Sequence, residues 1–442
     1  MLKHVRLRGR FAILSRDRSF AALLFLLFLA LYVRTAAPSV LSGDSAEFQL
    51  AAALLGVPHP TTYPLYVLLG NLATRLLPLG DLAWRVTIVS SVCAALAVAL
   101  FFLLARRVSA SAPAAVVGAL ALGLAPGLWN VATLAEVYAL LAALLVGLAY
   151  LMVGGSWGRA TKDQGRRTKD QPTAEEQLIS NPQPPTPNSY LRARLAAFVG
   201  GLGFAHHGLF VIIGMPLLAG YLIWMLIQLF DEGRRTKDKR AAVRPWSFVL
   251  GLGLRQLVLL GLCFAAGLLP WLYPLAQYAR YGPFSGEDYG LPRHYFWGAP
   301  QSWSQAIDLL TGGSMRRDIF RPPSPEMIGA VARLVGRRLL FEFGPLGVPL
   351  GLLGAFALAR RARLAWAGTA WIFFATLTYL LLLGPAVQDA PVFTLPMLLP
   401  WALWIAAGSA VLLEWEHRWD ERRSAKDQGR TPNSHKGLVF GR

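Results

Sequence analysis

Apolar runs long enough to cross a bilayer recur along this 442-residue chain, and runs of that length leave few ways to fold. In hydrocarbon every backbone N–H and C=O must be satisfied internally, so such runs become helices that pack on one another. Composition agrees. Hydrophobic residues make up 55% of the chain and charged residues 15%, where soluble domains carry about a quarter charged. A single large soluble core is the reading this excludes. The sequence predicts an all-α polytopic membrane protein with ten spans, at 19–37, 84–105, 111–128, 132–153, 191–206, 208–230, 247–274, 343–359, 364–384 and 394–414. The third and fifth are short and rich in small residues, which suits helices that pack closely on others.

The net charge of +19 is an orientation signal here and not a sign of nucleic-acid binding. With the N-terminus inside, the basic N-terminus (1–18), Arg106–Arg107, the low-complexity loops 154–190 and 231–246, the "ARRAR" at 359–363 and the basic tail 415–442 all fall on one side. The other side receives the loop 38–83, whose one clear base is Arg75, the turns near 130 and 207, the segment 275–342 and the turn 385–393. Both ends are thus expected in the cytoplasm, flanking a transmembrane domain at 19–414. The N-terminal run "SFAALLFLLFLALYV" resembles a signal peptide, but Arg34 before "TAAPS" favours an uncleaved first span. "KDQGR", "GRRTKD" and "TPNS" each occur twice, all on the predicted inside face, and read as polar spacers. Cys93 and Cys263 lie in apolar runs and are expected to be thiols without a disulfide or zinc site.

The predicted outside face holds the polar residues that could do chemistry. "LSGDSAEFQL" at 41–50 places Asp44 and Glu47 three residues apart just beyond the first span. The spacing fits a capping box with Asp44 at the N-cap; it equally fits a pair of carboxylates presented to a substrate. "GVPHPTTYPLYVLLG" follows, with three prolines fixing a rigid turn that carries His59 and Tyr63. The apolar helix after it, 63–78, is expected to lie along the membrane surface. Glu136 and Tyr138 lie in "LAEVYAL" at the outer end of a span, where a carboxylate is costly unless paired or wetted. His206 and His207 in "GFAHHGL" could hold a metal or phosphate, or be satisfied helix-end histidines. Arg316 and Arg317 sit on the outside against the charge rule, as phosphate recognition or plain surface exposure would each explain. Asp389 shares that face in "PAVQDAPVFTLP".

Four of these pieces together resemble a known group: "GDSAEFQLAAALLGVPHPTTYPLY", "LAEVYAL", "WGAPQSWSQAIDLLTGG" and "DAPVFTLP". In order and spacing they are similar to the GT-C superfamily of multi-pass glycosyltransferases. The nearest group is the family of the eukaryotic transmembrane protein O-mannosyltransferase and bacterial proteins catalogued as a domain of unknown function. The chain departs from that pattern at Ala46, at Thr61 and Thr62 in place of Pro-Gly, at Ala205-His206-His207 and at Phe393. The carboxylates are kept, so the departures bear on substrate choice more than on reaction class.

The resemblance implies a GT-C-like bundle with a catalytic first outside loop. It implies a polyprenyl-phosphate sugar donor drawn from the lipid bilayer and an extracytoplasmic acceptor, a protein hydroxyl or an envelope glycan or lipid. Asp44 would be the base and Glu47 its neighbour, with inversion at the anomeric carbon. Arg316, Arg317, His206 and His207 would meet the departing phosphate. His59, Tyr63, Glu136, Tyr138 and Asp389 complete the expected substrate-binding set. No cofactor is required, and a divalent metal on Asp44 or Glu47 is compatible. The rival classes are a transporter or lipid flippase without chemistry and a non-enzymatic envelope scaffold. No internal inverted repeat is seen, and the polar residues gather on one face of the membrane, both against transport. Plain spacer repeats and compact loops point to a bacterial cytoplasmic membrane.

Overall fold

The computed structural model describes residues 2–153, 187–235, 246–284, 295–313, 322–383 and 391–427. Helices form where the apolar runs predict them: α1 Leu2–Thr35, α2 Asp44–Leu54, α3 Pro64–Leu76, α4 Leu82–Ser109, α5 Ala112–Gly123, α6 Pro126–Thr133 and α7 Tyr138–Met152. They continue with α8 Pro187–His206, α9 Gly208–Arg235, α10 Trp246–Gly267, α11 Leu272–Tyr281, α12 Trp303–Thr311, α13 Pro325–Arg361, α14 Arg363–Leu383 and α15 Leu395–Asp427. Among the described residues seven helical stretches are long and apolar enough to cross a membrane, and α5 with α6 makes an eighth if counted as one span. The protein is a multi-span, all-helical membrane protein. The other two expected spans correspond to α7 and α8.

The centre of the bundle is α4 and α15, whose apolar windows are 78% and 89% buried, while the windows of α1, α13 and the α10–α11 stretch are 22% buried or less. The peripheral helices keep leucines and phenylalanines outward, such as Leu23, Leu26, Leu262 and Phe356. That is the expected face for lipid. Inside, small residues let backbones approach. A Cβ on Gly354 of α13 would collide with the Trp404 carbonyl of α15, and Gly408 of α15 meets the Leu350 carbonyl in return. Without a hydrophobic drive between helices in lipid, such close packing is what holds the pair. Cys93 is buried and Cys263 half-buried, and both are free thiols.

One expected helix is broken. The run 111–128 is not a single rod: α5 and α6 meet at a bend of 58°. Pro126 cannot continue the ladder of α5 but is favoured in the first turn of α6. The groups freed by the break are satisfied from outside: Tyr32 Oη donates to the Gly123 carbonyl at 2.7 Å, and Glu342 Oε2 accepts the Gly127 N–H at 2.8 Å. Arg338 lies 2.8 Å from the other Glu342 oxygen, so the buried carboxylate is paired. The bend carries α6 toward the turn 134–137, which holds Glu136.

A carboxylate–histidine cluster as the candidate active site

The site is built on the first turn of α2. Gly43, at φ +63°, turns the chain into the helix as its N-cap, with no side-chain cap bond. Asp44 is therefore the first helical residue and not the N-cap, which corrects the capping-box reading. The reason is local: only a glycine takes this left-handed turn without strain, and Glu47 is engaged elsewhere. Both carboxylates remain in the first turn, where the partial positive charge of the helix end favours them.

Glu47 faces the proline-rich turn. Its Oε1 accepts the His59 N–H at 2.9 Å and the Tyr295 hydroxyl at 2.6 Å, and its Oε2 meets His59 Nδ1 at 2.5 Å. His59 is thereby oriented with its Nδ1–H toward the carboxylate. Phe48 and Tyr63 pack on its ring at 5.3 and 5.2 Å between centroids. Burial raises the Glu47 carboxyl, but the bonds from His59 and Tyr295 and the His59 charge outweigh it, so the net shift is downward. Burial lowers His59, and the Glu47 bond and charge, with Asp44 and Glu136 beyond, reverse that to a net rise. Both shifts favour the charged form of each partner in this pair.

Asp44 is exposed. It comes close enough that Asp44, Glu47 and His59 each offer an atom within 4.8 Å of the others, a set that could hold a divalent cation. Both Glu47 oxygens and His59 Nδ1 already bond within the protein, so a cation would have to displace that pairing. Glu136 completes the group from the other side. Ser90 of α4 accepts the Glu136 N–H at 3.1 Å and donates to its carbonyl at 3.0 Å, and Ser91 donates to the Ala132 carbonyl at 2.7 Å. Two adjacent serines on α4 thus pin the turn, while Ser45 of α2 donates to Glu136 Oε1 at 3.3 Å. Burial first, and the Asp44 charge second, push Glu136 up to about 7.

Behind the carboxylates lies an aromatic wall. Tyr63 packs on Phe48, His59, His206 and His207, and Tyr138 on His207 and Phe393. His206 is fully buried and pairs through Nε2 with the Val137 carbonyl at 3.0 Å. His207 accepts the Leu209 N–H on Nδ1 at 3.0 Å, so its proton sits on Nε2, a buried donor with no partner among the described residues. Of the residues the sequence singles out, Asp44, Glu47, His59, Tyr63, Glu136, Tyr138, His206 and His207 are brought into one region. Arg316, Arg317 and Asp389 lie outside the described residues. Tyr295, Ser45 and Ser90 are partners that sequence reasoning missed. Tyr295 precedes the quoted "WGAPQSW" by two positions, so the signal was adjacent.

The turn itself carries strain. Thr62 has φ +64° and Tyr63 φ +40°, a region that disfavours β-branched residues. The Thr62 hydroxyl is buried without a partner among the described residues. This is the position where the resembling family carries glycine. Thr62→Gly is therefore expected to raise stability by about 1 kcal/mol, after the entropy cost of glycine is counted. A thermal-denaturation shift of the purified protein in nanodiscs checks it.

Comparison with known proteins supports the motif reading. Residues 44–225 match the family model described as the Protein O-mannosyl-transferase TMEM260 N-terminal domain. The Protein O-mannosyl-transferase TMEM260 of Mus musculus is 26% identical over 272 residues, 60% of this chain. The Dictyostelium discoideum protein of that name is 36% identical over 77 residues. The chain spans 32% of the mouse relative's length and 9% of the other's. Among solved structures, ArnT from Cupriavidus metallidurans bound to undecaprenyl phosphate aligns over 90% of this chain and 60% of its own at 14% identity, with a TM-score of 0.46. The sequence matches show the resemblance to the protein O-mannosyltransferase-like family that the motifs carried.

Proposed function

We propose that this chain, similar over 44–225 to a protein O-mannosyl-transferase domain, is a GT-C-type membrane glycosyltransferase. It moves a sugar from a polyprenyl-phosphate donor to a hydroxyl on the far side of a bacterial cytoplasmic membrane, with both chain ends in the cytoplasm. The observation that carries this reading is the convergence of Asp44, Glu47 and His59 within 4.8 Å, with Glu136 bonded to α2, beside membrane-spanning helices.

The roles follow from the bonding. Asp44 has its carboxylate exposed, so it is the group free to take a proton. It accepts the acceptor's O–H proton as that oxygen bonds to the anomeric carbon. The bond from that carbon to the phosphate oxygen breaks, and its electron pair leaves with the polyprenyl phosphate. Direct displacement inverts the anomeric centre. Glu47 is a positioning residue, its oxygens spent on His59 and Tyr295. His59, whose charged form Glu47 favours, can place positive charge at the site, and the His207 Nε2–H is a second donor. Arg316 and Arg317 are assigned to the departing phosphate, Asp389 to the sugar or acceptor. Glu136, titrating near pH 7, can present a protonated carboxyl to the substrate, and Tyr63 and Tyr138 wall the site. The donor's prenyl tail would lie among the lipid-facing helices. These roles require no metal, and a divalent cation on Asp44 or Glu47 is compatible with them.

The test offers the purified protein in lipid vesicles a panel of polyprenyl-phosphate sugars. The expected result is cleavage of one donor and a product of inverted anomeric configuration. Movement of solute across the vesicle wall with no donor cleaved would assign the chain to transport instead.

A further inference from the structure

Two residues beyond Tyr295 the chain forms an open groove of about 570 Å³, within the range of ligand sites. Its walls are the segment 297–301 and the first turns of α12, with Trp297, Gln301, Ser304, Gln305 and Asp308 as its polar and aromatic lining. Nothing in the proton-transfer chemistry above uses these residues.

The groove is tied to the cluster at both ends. Residues 295–297 form a parallel bridge to the chain before His59: Val57 N–H donates to the Tyr295 carbonyl and Trp297 N–H to the Val57 carbonyl, each at 2.8 Å. Gly56 permits this approach, since a Cβ there would meet the Tyr295 carbonyl at 2.8 Å. In an extended segment side chains alternate. Phe296 turns into a buried aromatic cluster with Tyr278 and Phe284, while its neighbours Tyr295 and Trp297 bond Glu47 and line the groove respectively. At its far end α12 stops at Gly312, where an added Cβ would touch Thr61 of the His59 turn at 2.9 Å.

The lining selects the ligand. Among the described residues it contains no Lys, Arg or His, which disfavours an anionic ligand. It is too polar and open for a prenyl tail. Trp297 offers a flat apolar face, which suits the C–H face of a sugar ring, and the Gln301 and Gln305 amides and the Ser304 hydroxyl offer both donors and acceptors for hydroxyls. Gln305 Oε1 accepts the Gln301 N–H at 2.7 Å, which fixes its amide. A peptide adding as a strand would need a backbone edge, but the Tyr295 and Pro300 carbonyls and the Trp297 N–H are used within the protein.

We propose that this groove is the acceptor subsite and that it takes a neutral glycan chain, leading one of its hydroxyls to Asp44. The inference rests on the transferase reading for the word acceptor, and the binding itself can be tested apart from it. The full chain in nanodiscs is titrated with neutral linear hexasaccharides of mannose, glucose and N-acetylglucosamine, using Asp44→Asn to prevent turnover. One hexasaccharide is expected to bind. Trp297→Ala is expected to weaken it about tenfold, as loss of a ring contact and its buried area implies, Trp297→Phe to restore most of it, and Gln305→Ala, at an exposed position, to weaken it severalfold. The thermal shift caused by the sugar donor should be unchanged in all three. With the wild-type base present, Trp297→Ala should raise KM for that saccharide about tenfold and leave kcat within about twofold. No hexasaccharide binding, binding indifferent to Trp297 and Gln305, or Trp297-dependent binding of a Ser/Thr-rich peptide instead would each overturn the proposal. Trp297-dependent binding of a saccharide without cleavage of any donor would sink the transferase reading and leave the groove a glycan site.

Discussion

Glu47→Ala is expected to lose turnover and to destabilise the protein by about 2–3 kcal/mol, as removal of one partner from a largely buried pair does. The side chain accepts three hydrogen bonds, two from His59 and one from Tyr295. Alanine leaves the His59 ring without its partner and releases Tyr295, which ties residues 295–301 to the first loop. The effect should depend on pH. Glu47 has a folded pKa below its ordinary 4.5, so its stabilisation is present above that value and is lost as pH falls through the folded one. His59 has a folded pKa above its ordinary 6.5, so its contribution is present below that value and is lost as pH rises through the folded one. The gap between wild type and Glu47→Ala should be widest between pH 4.5 and 6.5 and should narrow on both sides. Thermal denaturation of both proteins across pH 3–9 reads this directly. A gap that does not vary with pH would mean that the imidazolium–carboxylate pair is not formed.

Asp44→Asn is expected to behave in the opposite way, with stability kept and turnover lost. Asp44 is exposed and makes no cap bond, so the change should cost under about 0.5 kcal/mol. Removing a positioned base lowers the rate by about 10²–10⁴. Its charge also acts on Glu136: Asp44 is the second cause, after burial, that holds Glu136 near 7. With the charge gone, the Glu136 midpoint should fall, and following its carboxyl by infrared difference spectroscopy should show the shift to lower pH. Asp44→Glu, which keeps the charge but moves it by a methylene, should leave the Glu136 midpoint near wild type while still slowing transfer. These readouts separate a catalytic carboxylate from one that merely decorates a helix end.

Much of this architecture was legible in the sequence because lipid imposes a strong rule. All ten predicted spans fall on helical segments, 111–128 on a broken pair and 247–274 on α10, a short 3₁₀ turn and the start of α11, and among the described residues seven or eight are long and apolar enough to cross a membrane. The break has a local cause, Pro126, and a tertiary support that no local pattern encodes: Tyr32 and Glu342, distant in sequence, satisfy the Gly123 carbonyl and the Gly127 N–H at the bend. The carboxylates near the first span were visible as costly charges at a membrane edge. What they bond to was not. Asp44 to Glu47 has capping-box spacing, but Gly43 takes the cap and Glu47 turns to His59, a choice set by the fold of the proline-rich turn. Tyr295 reaches Glu47 across 248 positions, a pairing that no local pattern encodes. Ser90 and Ser91 look like small packing residues in a span, yet they fasten the turn that bears Glu136. The threonine at 62 was visible as a departure from the resembling family, and only its φ of +64° explains why glycine stands there in the family.

The most direct test of the central claim places wild type and Asp44→Asn side by side in nanodiscs with the same polyprenyl-phosphate sugar. Thermal stabilisation by the donor and release of polyprenyl phosphate are followed together. The account predicts that the donor stabilises both proteins equally and that only wild type releases polyprenyl phosphate at an appreciable rate. Equal release by the two proteins would show that Asp44 is not the base, and a donor that stabilises neither would remove the site from glycosyl transfer altogether.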